Sequence, residues 1–432
     1  MTVAHKYSRR QFLEQAALAS GALALGGSSA AKPLLPNPRN SGIEHVVVVM
    51  MENRSFDHLL GWLPGADGRQ AGLAYLDSGG GSHSTYPLQP DYQGCGHPDP
   101  DHSYEGARVE YDRGGCDGWL RAGLNDEYAI GYYLQNDVAF LAQAAPGWTA
   151  CDRYFAAILG PTFPNRLYMH AAQTDRLGDT FELSTLPTIW DRLAAAGLSG
   201  RYYFSDAPFL GLWGLKYASI SRTIDHFFED CADGTLPQVS YVDPRFIDEA
   251  AGTSDDDHPH ADIRNGEVFM NAVYSAVTSS PNWKHTVFVI TFDEWGGFFE
   301  HVPPPAAPIP AASAAAGDKD GLLGFRVPCL IMSPYARREV VSHTAFDHTS
   351  ILKLIEWRWN LEPLTVRDAT ANNLALALDF GKPDRFAPLY PIDPGPYGAA
   401  CPTTSAPSSA PVGDTNEWIG LRSAAQRYGW KL

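Results

Sequence analysis

Two pairs of hard oxygen donors, Glu52-Asn53 and Asp293-Glu294, each stand directly behind an apolar run, HVVVVMM at 45–51 and TVFVITF at 286–292. A short apolar run rich in β-branched residues and bounded by polar ones predicts a buried strand. Side chains just past a strand's carboxyl end occupy the position where open α/β sheets hold their chemistry. Taken singly, Glu52-Asn53 also reads as a solvated helix cap and Asp293-Glu294 as a turn before Gly296-Gly297; two strand ends carrying the same donor type point to one shared site. Adjacent carboxylates repel and call for a cation. With Thr162 as a fifth oxygen, the set predicts one hard divalent metal, Ca2+ first and Mg2+ or Mn2+ as alternatives, over zinc, which draws histidine or cysteine into its shell.

Thr162 stands in LGPTFPNR (159–166). Gly160-Pro161 predicts a turn and the helical pattern begins near Asn165, so Thr162 falls at a helix N-terminus, where unpaired N–H groups and the helix dipole favour an anion. By spacing alone the N-cap is the favoured reading, and only the resemblance below reverses that. As a nucleophile, its neutral hydroxyl would need a metal or an adjacent base. Four histidines accompany these groups: His102 in HPDPDHSYEG, His258 in DDDHPHAD, and His301 and His348 farther along. A positioned imidazolium can protonate a departing alcohol, and a neutral imidazole can activate water. Asp255-Asp256-Asp257 reads as a solvated loop face, with cation binding as the alternative.

The elements that must position these residues alternate. Strands are predicted near 43–50, 200–205, 286–292 and 327–333, and helices near 128–144, 165–174, 187–197, 267–279 and 348–359. This is the pattern of a layered α/β fold. A Gly-rich, polar excursion over 64–118 is too long for an idle loop and reads as a lid. Residues 398–415 form a Pro/Ser/Ala-rich linker ahead of a short aromatic-rich end.

The first 31 residues carry Ser8-Arg9-Arg10-Gln11-Phe12-Leu13, a mildly apolar stretch from Ala16 to Gly27, and small residues at 28–31. That is a twin-arginine signal pattern. It predicts export of the folded protein by the twin-arginine machinery to a secreted, periplasmic or cell-wall location, leaving a catalytic domain over 40–397 and a C-terminal segment over 398–432. With 44% hydrophobic residues the 432-residue chain can bury one large core. Its net charge of −17 argues against nucleic acid as a ligand. An anionic substrate must therefore be held by local positive charge, here a metal and histidines. Six cysteines in an exported chain permit disulfides, and no CxxC pair points to zinc. Six cysteines allow fifteen full pairings; Cys95 with Cys116, both in the Gly-rich excursion, is the preferred one.

The strings ENRSFDHLLG, GPTFPNR, DEWGGFFEHVPPP and FDHTSILKLIE, in this order, resemble the phosphoesterase family that contains the non-specific phospholipases C and the respiratory-burst-inhibiting acid phosphatases. The resemblance spans roughly residues 43 to 360. It implies a fold related to alkaline phosphatases and sulfatases, a mainly parallel sheet in an α/β/α sandwich, and Thr162 as nucleophile. It also implies catalytic roles for His102 and His258, phosphate contacts from Asn53, His301 and His348, and metal ligation by Glu52, Asn53, Thr162, Asp293 and Glu294. Threonine at 162 is the residue of the phospholipase branch, whereas the acid phosphatases carry serine. The expected reaction is cleavage of phospholipid to diacylglycerol and a phosphorylated head group through phosphothreonine, with transient contact at a membrane surface. Trp62, Trp119, Trp148, Tyr132 and Tyr133 are available for a lipid-facing rim. Hydrolysis of soluble phosphomonoesters is the alternative, and a secreted binding protein with an inert site is a third reading that the full ligand set opposes.

Overall fold

The structure is a computed structural model that describes residues 35–402 and 417–432. The expected twin-arginine signal over residues 1–31 and most of the expected linker lie outside the described residues. At the centre is an eight-stranded sheet. In chain order its strands are β1 (His45–Met51), β2 (Thr149–Cys151), β3 (Gly200–Phe204), β4 (Ser221–Thr223), β5 (Val239–Val242), β6 (Thr286–Phe292), β7 (Cys329–Met332) and β8 (Val340–Ser342). They lie side by side as β8-β2-β7-β6-β1-β5-β3-β4. Only β7 runs against its neighbours; the other pairings are parallel. A parallel strand covered on both faces should be a continuous apolar run instead of an alternating one, and Val46 to Val49 in β1 are all fully buried. Their β-branched side chains suit the pleated, packed surface.

Register places the chemistry. Met51 pairs with Phe292 and Val49 with Val242, so Glu52, Asp293 and Asp243 leave one edge of the sheet from three adjacent parallel strands. Helix α1 (Thr162–Ala171) packs on α4 (His348–Trp359), and α2 (Ile224–Asp233) packs on α3 (Ile263–Ser279). The expected layered α/β architecture with a mainly parallel sheet is what the chain forms.

Several elements differ from the sequence reading. The helix expected over 128–144 is instead two 3-10 turns, Glu127–Ile130 and Gln135–Asp137, around the short strand Gly131–Tyr132, with helix only at Leu141–Gly147. Gly131 approaches Leu88 too closely for a side chain, and the apolar residues of this stretch serve tertiary packing, not a helical face. The 64–118 excursion has a hairpin, Ala74–Leu76 with Ser82–Ser84, and a helix, Gly106–Tyr111. It also has a satellite core that includes Tyr75, Cys116, Trp119, Trp295 and Phe325. Trp119, Trp148, Tyr132 and Tyr133 are buried and Trp62 is partly buried, so these rings are core and do not form a lipid-facing rim.

The disulfide is Cys95–Cys401, across 306 residues, instead of Cys95–Cys116. Cys116 is enclosed in the satellite core, where burial pushes its thiol up to about 12. Cys95 lies beside Gln93, whose side chain also hydrogen-bonds the backbone of Ala399 at 2.7 and 3.3 Å. The bridge thereby fastens the chain at Cys401 to the excursion. Peptide mapping without reductant should recover a Cys95–Cys401 cross-link that persists in Cys116→Ser, and Cys401→Ser should lose about 2–4 kcal/mol of unfolding free energy. A Cys95–Cys116 peptide would contradict this pairing.

Candidate active site

Three strand ends, Glu52 after β1, Asp243 after β5 and Asp293 after β6, converge on one guanidinium. Arg166 is on α1 one turn beyond Thr162, at the i, i+4 spacing that puts both on one helix face. Its Nε donates to Asp293 Oδ2 at 2.9 Å, one terminal nitrogen lies 3.1 Å from Asp243 Oδ1, and the other lies 3.2 Å from Glu52 Oε1. Burial alone would lower the pKa of Arg166, but Asp293, Asp243 and Glu52 reverse that and hold it above its ordinary value. The sequence reading assigned no role to Arg166 or to Asp243. Both were signalled: Arg166 by its spacing from Thr162, Asp243 by the short apolar run VSYV before it.

Thr162 is the first residue of α1. The N-cap is Pro161, which makes no side-chain cap bond, so the N-cap reading of Thr162 falls. The Thr162 hydroxyl lies 3.5 Å from Asn53 Oδ1. Asn53 Nδ2 lies 3.2 Å from His102 Nε2, which in turn is 4.0 Å from Glu294 Oε1. Thr162, Asn53, His102 and Glu294 thus form one continuous line of contacts, all fully buried. His102 Nδ1 is 2.7 Å from the carbonyl of Pro100, which places the ring proton on Nδ1 and leaves Nε2 to accept from Asn53. Asn53 has φ 58°, and a Cβ on Gly296 would meet the Asn53 carbonyl oxygen at 2.1 Å. Glycine after Asp293-Glu294-Trp295 is therefore what lets the β6 loop close onto the β1 loop.

His258 stands beside His102, with ring centroids 5.9 Å apart. Its Nδ1 is 3.3 Å from Glu249 Oε2 and its Nε2 3.7 Å from Asp99 Oδ2. Burial would lower its pKa, yet Glu249 and Asp99 outweigh burial and hold it well above the ordinary imidazole value. Asp256 and Asp257 are buried, which corrects the reading of that run as a solvated face. Asp256 lies in a group with Glu52 and Glu249 whose carboxylate oxygens are within 4.8 Å of one another.

The residues fit a divalent cation. One guanidinium faces Glu52, Asp243 and Asp293, and Glu294 adds a further acid whose Oε2 takes the Gly296 N–H at 2.7 Å while Oε1, buried, takes no hydrogen bond. Burial pushes Glu294 up to about 8, and burial with the neighbouring Asp293 holds Glu52 well above the carboxylate range. Glu52, Asn53, Thr162, Asp293 and Glu294 all offer oxygen, the donor type that hard cations prefer, and beside them Asp99, His102 and His258 bring their ligand atoms within 4.8 Å of one another.

His348 and His301 stand outside this line. His348 Nε2 donates to the backbone carbonyl of Asp293 at 2.7 Å and its Nδ1 meets Tyr154 Oη at 3.1 Å. Burial lowers its pKa to about 4, so it is a neutral prop under the β6 loop. His301 Nδ1 is 2.5 Å from Asp57 Oδ2 and its Nε2 is 3.2 Å from Asp67 Oδ1, within a separate ion cluster that includes Glu300 and Arg326.

Removing the central guanidinium should expose the charge imbalance directly. Arg166→Met, measured by denaturant unfolding in the presence of a chelator, should lose about 3–5 kcal/mol, the usual cost of stripping a buried carboxylate of its partner. Unchanged stability would mean that Glu52, Asp243 and Asp293 are neutralised by other means.

The model of the phosphoesterase family matches residues 43–362. The chain is 32% identical to phospholipase C B of Mycobacterium tuberculosis, covering 87% of this chain and 86% of that one. It is likewise 32% identical to non-specific phospholipase C6 of Arabidopsis thaliana over 77% of this chain and 71% of the relative. A non-hemolytic phospholipase C of Pseudomonas aeruginosa is 30% identical over 87% of this chain and 64% of its own length. Among solved structures, a Vibrio parahaemolyticus protein of the alkaline phosphatase superfamily aligns with 86% of this chain and 79% of its own, at 10% identity and a TM-score of 0.41. From the family match and the identity to these relatives across most of its length, the chain belongs to the phosphoesterase family and is a phosphoric ester hydrolase.

Proposed function

We propose that this protein is a secreted, cation-dependent phospholipase C that cleaves phospholipid to diacylglycerol and a phosphorylated head group through a phosphothreonine at Thr162. The observation that carries the chemistry is the Thr162 hydroxyl. It sits at the N-terminus of a ten-residue helix, performs no capping and lies against Asn53 Oδ1. The lipid substrate is supported by the relatives named phospholipase C, and export by the twin-arginine pattern at Ser8–Leu13.

In the first displacement Thr162 Oγ gives its proton to His102 Nε2, left unprotonated by the Nδ1 bond to Pro100, and attacks phosphorus; the P–Oγ bond forms and the bond to the glycerol oxygen breaks. The departing alkoxide needs a proton. His258, whose imidazolium is favoured by Glu249 and Asp99, supplies it in this reading. In the second displacement water attacks phosphorus, the P–Oγ bond breaks and Thr162 regains its proton. That proton returns to Thr162 from His102, and His258, neutral after the first step, takes the proton of the attacking water, so both histidines end as they began. Asn53 turns its Nδ2 toward His102 and its Oδ1 toward Thr162, which fixes both partners. A bound divalent cation, Ca2+ by preference for an oxygen-only shell, would lower the hydroxyl pKa and offset charge on the phosphoryl oxygens.

Thr162→Val should reduce turnover to background with the fold intact, and acid-quenched mass spectrometry of the wild type should find phosphate on Thr162. Phosphate on another residue would move the nucleophile. His258→Ala should lose about 10²–10⁴-fold in kcat, the range for a general acid; a smaller loss would return the proton to another donor. Side-by-side assays on phosphatidylcholine and p-nitrophenyl phosphate decide the substrate. Diacylglycerol release is expected, and monoester hydrolysis without it would make the protein an acid phosphatase.

A further inference from the structure

The short aromatic-rich end of the chain forms helix α5 (Glu417–Arg427), and its one fully enclosed ring, Trp418, reaches the candidate active site. The indole stacks on Phe246 with ring centroids 3.6 Å apart and planes 3° from parallel. Phe163, the residue after Thr162, stands edge-on to it at 5.7 Å. Trp418 Nε1 lies 3.1 and 3.0 Å from the two carboxylate oxygens of Glu52. The Arg166 guanidinium sits over the same ring at 5.0 Å. The contact is built, because the helix is fastened around it. Arg422 donates to the Asp206 carbonyl at 3.2 Å, Tyr428 Oη to that of Phe181 at 2.9 Å and Trp430 Nε1 to that of Gly214 at 2.8 Å.

An indole N–H is a donor only. It can neither bind a cation nor take up a proton, and as mere filler between aromatic rings a phenylalanine would serve as well. What tryptophan adds is one N–H shared between both oxygens of a fully buried carboxylate, which fixes that carboxylate's rotation. The ring beneath Arg166 fixes its counter-charge at the same time. We propose that Trp418 is the positioning residue of Glu52: the C-terminal helix completes the cation site from outside the sheet, orienting Glu52 toward a bound divalent ion. This rests on the reading of Glu52 as a cation ligand. Outer partners of ligating carboxylates typically govern affinity by 10–100-fold.

The test is Mn2+ binding by equilibrium dialysis on the full-length chain, with the unfolding temperature of the metal-free protein as control. Trp418→Phe keeps the ring and deletes the N–H. It should weaken Mn2+ binding about 10–100-fold, leave the metal-free unfolding temperature unchanged, and recover wild-type kcat at saturating cation. If Trp418→Phe binds Mn2+ as the wild type does while Glu52→Gln loses affinity, Glu52 is a ligand and the Trp418 proposal is wrong. If the wild type itself binds no divalent ion, the cation reading falls and takes the proposal with it. Should Trp418→Phe also lower the metal-free unfolding temperature, the double variant decides. In a Glu52→Gln background Trp418→Phe should cost no further affinity, and a full additional loss would overturn the proposal.

Discussion

The structure depends on an unequal charge balance at one edge of a buried sheet. Parallel pairing of β5, β1 and β6 obliges three acidic residues to emerge side by side, and Arg166 alone faces all of them. Burying one carboxylate without a partner costs several kcal/mol. The fold accepts that cost repeatedly here, with Glu294 Oε1 and Asp256 Oδ2 buried and without hydrogen bonds. Such an edge favours whatever offsets its charge, a positive group or protonation of its acids, and burial holds both Glu52 and Glu294 above the ordinary carboxylate range. Sheet topology, helix placement and the later loops all act to hold that deficit in one small volume next to the Thr162 hydroxyl.

Because the deficit is enclosed, the surrounding chain must be tied from several directions. His102 arrives on the excursion, His258 on the segment before α3, and Trp418 on the C-terminal helix. The Cys95–Cys401 bridge joins the first of these segments to the chain just before the third. Loops near a site are ordinarily among the least stable parts of a fold. Here they are bonded to one another, which keeps small ligand displacements from separating groups that must act within a few ångströms.

The sequence made the central strands legible because β1 and β6 are uninterrupted apolar runs, and α4 begins and ends where its pattern does, at His348 and Trp359. The donors that follow these strands were legible for the same reason. Strand β5 was not, since VSYV is only four residues long and carries a serine, and with it Asp243 was lost. Arg166 becomes meaningful only once α1 is known to start at Thr162, because the i, i+4 relation requires a helix frame. Contacts between residues far apart in the chain leave no local pattern at all: Cys95 meets Cys401 across 306 residues, and Trp418 meets Glu52 across 366.

A second buried ion cluster shows how balance separates a structural site from a chemical one. Asp57, Glu300 and His301 also bring their ligand atoms within 4.8 Å of one another, and His301 lies in one of the motifs that carry the family resemblance. There, however, Arg326 bonds Glu300 at 2.7 Å and Asp57 at 3.2 Å, while His301 Nδ1 contacts Asp57. The same oxygens also take backbone N–H groups, Asp57 Oδ1 that of Arg69 at 2.8 Å, Asp57 Oδ2 that of His301 at 2.9 Å and Glu300 Oε1 that of Val302 at 2.9 Å, and the remaining one, Glu300 Oε2, takes that of Asp57 at 3.4 Å. Every acid in this cluster is answered from within the chain, so it asks for no ligand and serves to pin the β6 loop to the segment after β1. At the sheet edge the same residue types are left in surplus, with Glu294 Oε1 and Asp256 Oδ2 buried and without hydrogen bonds, and that imbalance is the physical difference between the two clusters.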